Sequence, residues 1–192
     1  FLPILALACS IAAQSPMIYD NGPFVTHPAG GAGGADASVL QNVAPVSHTT
    51  YGVGAQNALG YAVADNFVVN GTWVIDRIRV YTYQTGSTTT STITGVGCEI
   101  IENGVPGVGT TVLNSPVLTT TNVPAATGWT NCYRTLVADQ ATAVNRPIMY
   151  ADVTINPPIV LTAGVYWMMW NMAGSLASGP WAPPVSVTNQ GI

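Results

Sequence analysis

The chain has 192 residues, only 6% of them charged, no Lys, and a formal net charge of −4. Nucleic acids and anionic membrane surfaces are bound through clustered Lys and Arg, so neither partner is expected. A hydrophobic content of 48% excludes a disordered chain, which is poor in apolar residues, and the length suits one domain.

The four cations are Arg77, Arg79, Arg134 and Arg146, while 20 Gly, 14 Pro and many Thr, Ser and Asn make up the rest of the polar and turn-forming surface. That is the composition of an exported β protein with many turns. Residues 1–14 begin with an apolar run too short to cross a bilayer, which takes ~20 residues. Two readings of it stay open. It has the form of a signal-peptide apolar core followed by small residues, with cleavage after Ala12 or Ala13. As a retained strand, Phe1, Leu5, Leu7 and Ile11 alternate with the smaller Ala6, Ala8, Ser10 and Ala12 and would pair with a neighbouring subunit. Residues 1–15 are set apart on this basis, and residues 16–192 are expected to form one β domain.

Residues 16–60 read as loop-rich. Ile18-Tyr19 suggests a short strand ended by Asp20-Asn-Gly-Pro. The glycine run after Pro28 is not a phosphate-binding loop, because no Gly-Lys-Ser/Thr follows it. Residues 35–42 allow one helical turn. Residues 73–84 form the clearest strand, dense in β-branched and aromatic residues and free of Gly and Pro. With Asn70-Gly71 before it, the strongest short hairpin signal, residues 62–84 predict a β-hairpin. Ile78, Val80 and Thr82 share one face by period two, and Ile75 falls on the other. Either a one-residue bulge near Asp76 returns Ile75 to the core, or Ile75 sits under Trp73 on a half-covered outer face.

A polar loop follows, then strands over residues 96–102, 110–118 (weak, with Pro116 inside) and 129–138. Another starts at Arg146-Pro, with Met149, Ala151, Val153 and Ile155 alternating, and Asn156-Pro-Pro is expected to stop it. Residues 161–170 make a turn feeding a strong strand. The last strand, residues 181–188, is entered through prolines and so belongs at an edge. Eight or more short strands without a sustained 3.6 period predict an all-β fold, specifically an antiparallel two-sheet sandwich of jelly-roll type.

Several segments carry a resemblance. Asp20-Asn-Gly-Pro, Gly-Gly-Ala-Asp36-Ala-Ser, Ala64-Asp65-Asn66-Phe67, Trp73-Val-Ile-Asp-Arg-Ile, Asn145-Arg-Pro-Ile and Leu161-Thr-Ala-Gly-Val-Tyr-Trp occur in this order. Together they resemble a group of uncharacterised secreted bacterial β-sandwich proteins, many of which carry a PEP-CTERM-type sorting tail; no such tail is visible here. The resemblance implies export and fold, and transfers no activity to any residue.

Two cysteines beyond Cys9, in an exported chain, predict a Cys98–Cys132 disulfide. His27 and His48 sit in loops with no nucleophile motif near them, and the eight acids are scattered, so neither triad nor glycosidase chemistry is expected. Asp20, Asn21, Asp36, Asp65 and Asn66 are oxygen donors that would suit calcium, but they fit local Asx turns better. Five tryptophans, Trp73, Trp129, Trp167, Trp170 and Trp181, could stack on sugars or fill the core, and packing is favoured. Asn70-Gly-Thr72 is a glycosylation sequon. No metal or cofactor is expected. The functional expectation is a non-catalytic extracellular structural or surface-assembly protein, self-associating as a homo-oligomer or filament through its N-terminal strand. A secreted carbohydrate-binding module is the alternative.

Overall fold

The computed structural model describes residues 16–44, 47–114 and 126–187. The proposed donor positions Phe1, Leu5, Leu7 and Ile11 lie outside the described residues, as does the part of the weak strand beyond Asn114. Within those residues the protein is all-β. Its strands are β1 (Asp36–Val39), β2 (Val53–Gly54), β3 (Val63–Val69), β4 (Trp73–Thr82), β5 (Ile93–Glu102), β6 (Thr110–Asn114), β7 (Ala126–Thr135), β8 (Pro147–Leu161), β9 (Gly164–Gly174) and β10 (Trp181–Ala182). Helix is confined to single 3-10 turns at Ala32–Gly34 and Asn57–Leu59.

One sheet runs β1-β7-β8-β4, a second β3-β9-β5-β6, and β10 pairs with β2 in a small third. The two large sheets share a core. Ile78, Val80, Met149, Ala151 and Ile155 come from the first, and Val96, Cys98, Ile100, Tyr166 and Met172 from the second. Period-two alternation on β4 supplies its part: Ile78 and Val80 are buried while Arg77 and Arg79 are exposed. Outside, Arg79 stands opposite Asp152 in register. Its Nε and Nη2 donate to Oδ1 and Oδ2 at 2.6 and 2.8 Å. This is the planar two-point match that Arg makes with carboxylates.

The expected hairpin does not form. β3 pairs antiparallel with β9, with Phe67 opposite Tyr166, and β4 pairs with β8, with Val80 opposite Ala151. Asn70-Gly71 still reverses the chain, with Gly71 at φ 142°, a value open to glycine alone. The turn signal specifies a change of direction and leaves the pairing open. Here the change of direction carries the chain from one sheet to the other, so β3 and β4 both end as edge strands.

The phase break on β4 is real. Ile75 faces Ile159 and Arg77 faces Thr154, so Asp76 alone stands opposite residues 155–158. The surplus residues are therefore in β8, not β4. Trp73 and Ile75 face the core before the irregularity, and Ile78 and Val80 after it. Pro157 and Pro158 occupy the surplus segment, where a missing N–H breaks no ladder bond. For that reason Asn156-Pro-Pro does not stop the strand, which runs on to Leu161.

Residues 35–42 form no helical turn. Asp36–Val39 is a strand parallel to β7, with Asp36 opposite Cys132 and Val39 opposite Thr135. His27 bridges its other side at Ala37. Ala37, Ser38 and Val39 are buried in succession, the mark of a strand covered on both faces. Ile18 and Tyr19 belong to no strand. The closing strand is only Trp181–Ala182, and it is not at an edge: Trp181 pairs with Gly54 of β2 on one side and exchanges both backbone hydrogen bonds with Tyr83 on the other.

Candidate functional site

Between the β3 and β4 edges the two large sheets leave an apolar cleft of about 380 Å³. Ile75, Ile78 and Val80 form one wall, and Ile100, Met168 and Trp170 the other. That volume lies within the ~300–1,000 Å³ of ordinary ligand pockets. The Trp170 Nε1–H is buried and has no hydrogen-bond partner.

Residues 16–24 cross the mouth as a strap. The Tyr19 ring centroid lies 5.6 Å from that of Phe67 and 5.9 Å from that of Trp73. Phe67 and Trp73 themselves stack at 5.9 Å and 9° across the two edges. Further along, Phe24 packs on Tyr81 at 4.6 Å. Polar contacts fix the strap to β3: Tyr19 Oη donates to Asn21 Oδ1 at 2.9 Å, and Asn21 Nδ2 to Asp65 Oδ2 at 2.8 Å. Desolvation, then the nearby Asp65 and Asp20 carboxylates, push the Tyr19 phenol pKa up. Apart from the strap, no described strand pairs with the outer edge of β3 or with that of β4 along Trp73–Thr82.

The cysteines do not pair. Cys98 and Cys132 are free and buried. Cys98 lies on β5 opposite Trp170, inside the shared core. Cys132 lies on β7 opposite Asp36, between strands of the other sheet. Counting thiols cannot see that they belong to different sheets. Burial pushes both thiol pKa values up to about 12, so they are inert small hydrophobes rather than nucleophiles. A reductant is therefore expected to leave the melting midpoint unchanged. A thiol reagent should modify Cys98 and Cys132 only after unfolding; rapid modification of either in the native protein would contradict their placement.

The other predicted residues are scattered. The His27 Nδ1 meets the Thr26 hydroxyl at 2.8 Å. That hydroxyl already donates to the Ala37 carbonyl and accepts the Val39 amide, both at 2.9 Å. Its proton is committed, so the imidazole is the donor and activates nothing. Burial lowers the His27 pKa. His48 is half-buried in a loop.

Among the oxygen donors, Asp20 accepts the Gly22 amide and Asp65 the Asn66 amide, which are local turn contacts. Asp36 instead accepts the Ala29 amide at 2.8 Å. Among the described residues no three His, Cys, Asp or Glu side chains converge on a metal position. All five tryptophans are half-buried, and Trp73 and Trp170 line the cleft. Asn70 is exposed at the β3–β4 corner, where a glycan would meet no packing.

No family model, curated protein or solved structure matches the chain. No described helix is long and apolar enough to cross a membrane.

Proposed function

We propose that the protein is a non-catalytic extracellular structural subunit that self-associates at a surface or in a filament. In this reading the apolar segment bearing Phe1, Leu5, Leu7 and Ile11 is donated to the next copy. The carrying observation is the cleft: two edges that pair with no other described strand flank an apolar groove, and Pro16 and Met17, at the start of the described residues, line it. An extended apolar segment placed there gains ladder hydrogen bonds from an edge and buries alternate side chains. Transfer to a neighbour gives a head-to-tail contact, which propagates instead of closing. Sparse charge leaves little repulsion between copies. The finer fold reading belongs with this: a jelly-roll-like sandwich of two large sheets, antiparallel except for the β1–β7 pair, left open on one side. The resemblance to secreted bacterial β-sandwich proteins supports export.

A chain lacking residues 1–12 is expected to bind a synthetic peptide of that sequence, with a change in tryptophan fluorescence as Trp73 and Trp170 are covered. Ile78→Trp, which fills the cleft, should abolish binding. Peptide binding that persists in the filled variant would place the acceptor elsewhere, and no binding at all would end the donated-strand reading.

A secreted carbohydrate-binding module is the second reading. It is favoured by the Tyr19, Phe67 and Trp73 rings at the mouth, with Asn21 and Asp65 beside them. Glycan-array binding lost in Trp73→Ala would select it over assembly.

A further inference from the structure

The four arginines fall into two pairs of opposite character. Arg77 and Arg79 share Asp152, at 4.0 and 2.6 Å. Among the described residues, neither Arg134 nor Arg146 forms an ion pair with a carboxylate within 4.0 Å. Yet the two are neighbours. Tyr133 stands opposite Pro147, and in the next position the Arg134 amide donates to the Arg146 carbonyl at 2.8 Å. Like charges opposite each other weaken a ladder.

Arg134 is 1% exposed. Its Nε donates to the Tyr51 carbonyl at 2.7 Å, and Nη1 donates to the carbonyl and hydroxyl of Ser38, each at 3.1 Å. The buried Nη2 has no partner. A guanidinium does not escape burial by losing its proton, and a buried charge left unpaired is costly. Tyr83 is close to both arginines but cannot neutralise them, since burial outweighs their pull and holds its phenol protonated, with a pKa of about 12. Tyr51 covers the pair. Its carbonyl caps Arg134, and Arg146 lies over its ring at 4.2 Å.

We propose that Arg134 and Arg146 hold a small oxyanion, a carboxylate or a tetrahedral phosphate or sulfate, beneath Tyr51 at the start of β8. The ligand supplies the missing negative charge, accepts from the orphaned Nη2, and bridges two guanidiniums that otherwise repel. Guanidinium forks match such oxygens geometrically. Tyr51 lies in a segment outside the strands and is half-buried, as is Arg146. Displacement of its ring from Arg146 opens the way in.

The test is thermal melting of the full chain at constant ionic strength, with chloride replaced in turn by acetate, phosphate and sulfate. The wild-type midpoint should rise by several degrees with at least one of them and saturate at millimolar concentration. Acetate alone would identify a planar carboxylate; phosphate or sulfate would identify a tetrahedral ligand. Arg146→Gln should remove the response, and Arg77→Gln, which changes an exposed charge elsewhere, should keep it. Calorimetric titration of the wild-type chain with the same anions gives a readout independent of any variant's folding. An equal rise in all three proteins, or neither heat nor midpoint shift in the wild type, would overturn the proposal.

Discussion

Replacing Met172 with Ala is expected to lower the unfolding free energy by about 2–5 kcal/mol, the usual cost of truncating a fully buried Met. Met172 is 0% exposed in the shared core of the two large sheets. Its amide also donates to the Ala55 carbonyl at 2.7 Å, and the backbone on both sides is held by β5 and the β2 segment, so the vacated space cannot collapse. Met168, four residues earlier on the same strand, lines the cleft and is only half-buried. It already lacks partner atoms on one side, and dispersion contacts that are absent cannot be lost. Met168→Ala should therefore cost less than half as much. Urea unfolding with an unchanged m value measures both. Equal losses at the two positions would mean that the cleft is closed in solution.

Mild alkali is expected to destabilise the protein steeply. Burial raises Cys98 and Cys132 from 9.0 to about 12, and Tyr83 from 10.0 to about 12. Below pH ~9 these groups are protonated in both states and contribute no pH dependence. Above it the unfolded thiols ionise while the folded ones do not, so the unfolded state binds fewer protons and stability falls. Each thiol removes on the order of 1 kcal/mol per pH unit until its folded pKa is reached, and Tyr83 joins from pH ~10. Urea midpoints between pH ~8 and ~11 should show this slope, and Cys98→Ala should reduce it. A flat profile across that range would mean that the thiols are exposed or bonded.

Much of the strand framework was legible because it depends on local alternation. Ile78 and Val80 inward, Arg77 and Arg79 outward, and the phase break at Asp76 all follow from the order of residues on β4. Pairing was not legible. Asn70-Gly71 marks a reversal, but whether β3 joins β4 or β9 depends on edges supplied a hundred residues later. The run Asp36-Ala-Ser-Val does alternate polar and apolar residues, but over only four positions, and its partner β7 lies almost a hundred residues further on, so the strand was not legible locally. The prolines after Asn156 were tolerated because they fall in the surplus segment opposite Asp76, a fact that belongs to the register and not to the dipeptide.

The site followed the same division. Tryptophans were expected to pack, yet nothing in their spacing showed that Trp73 and Trp170 would line opposite walls of a cleft. Arg134 and Arg146 lie twelve positions apart and were counted only as charges. Their conflict exists because β7 and β8 place them side by side and β1 buries one of them. The disulfide expectation failed for the complementary reason, since Cys98 and Cys132 belong to different sheets.

Donation of the apolar segment between copies is most directly tested on the protein isolated from its native source, by N-terminal sequencing together with sedimentation mass. Retention of residues 1–12, with polymers that fall to single chains, each lighter than the 19.9 kDa of the full 192 residues, when those residues are deleted, is the predicted result. A mature protein that starts near Gln14 and sediments as a monomer would contradict it.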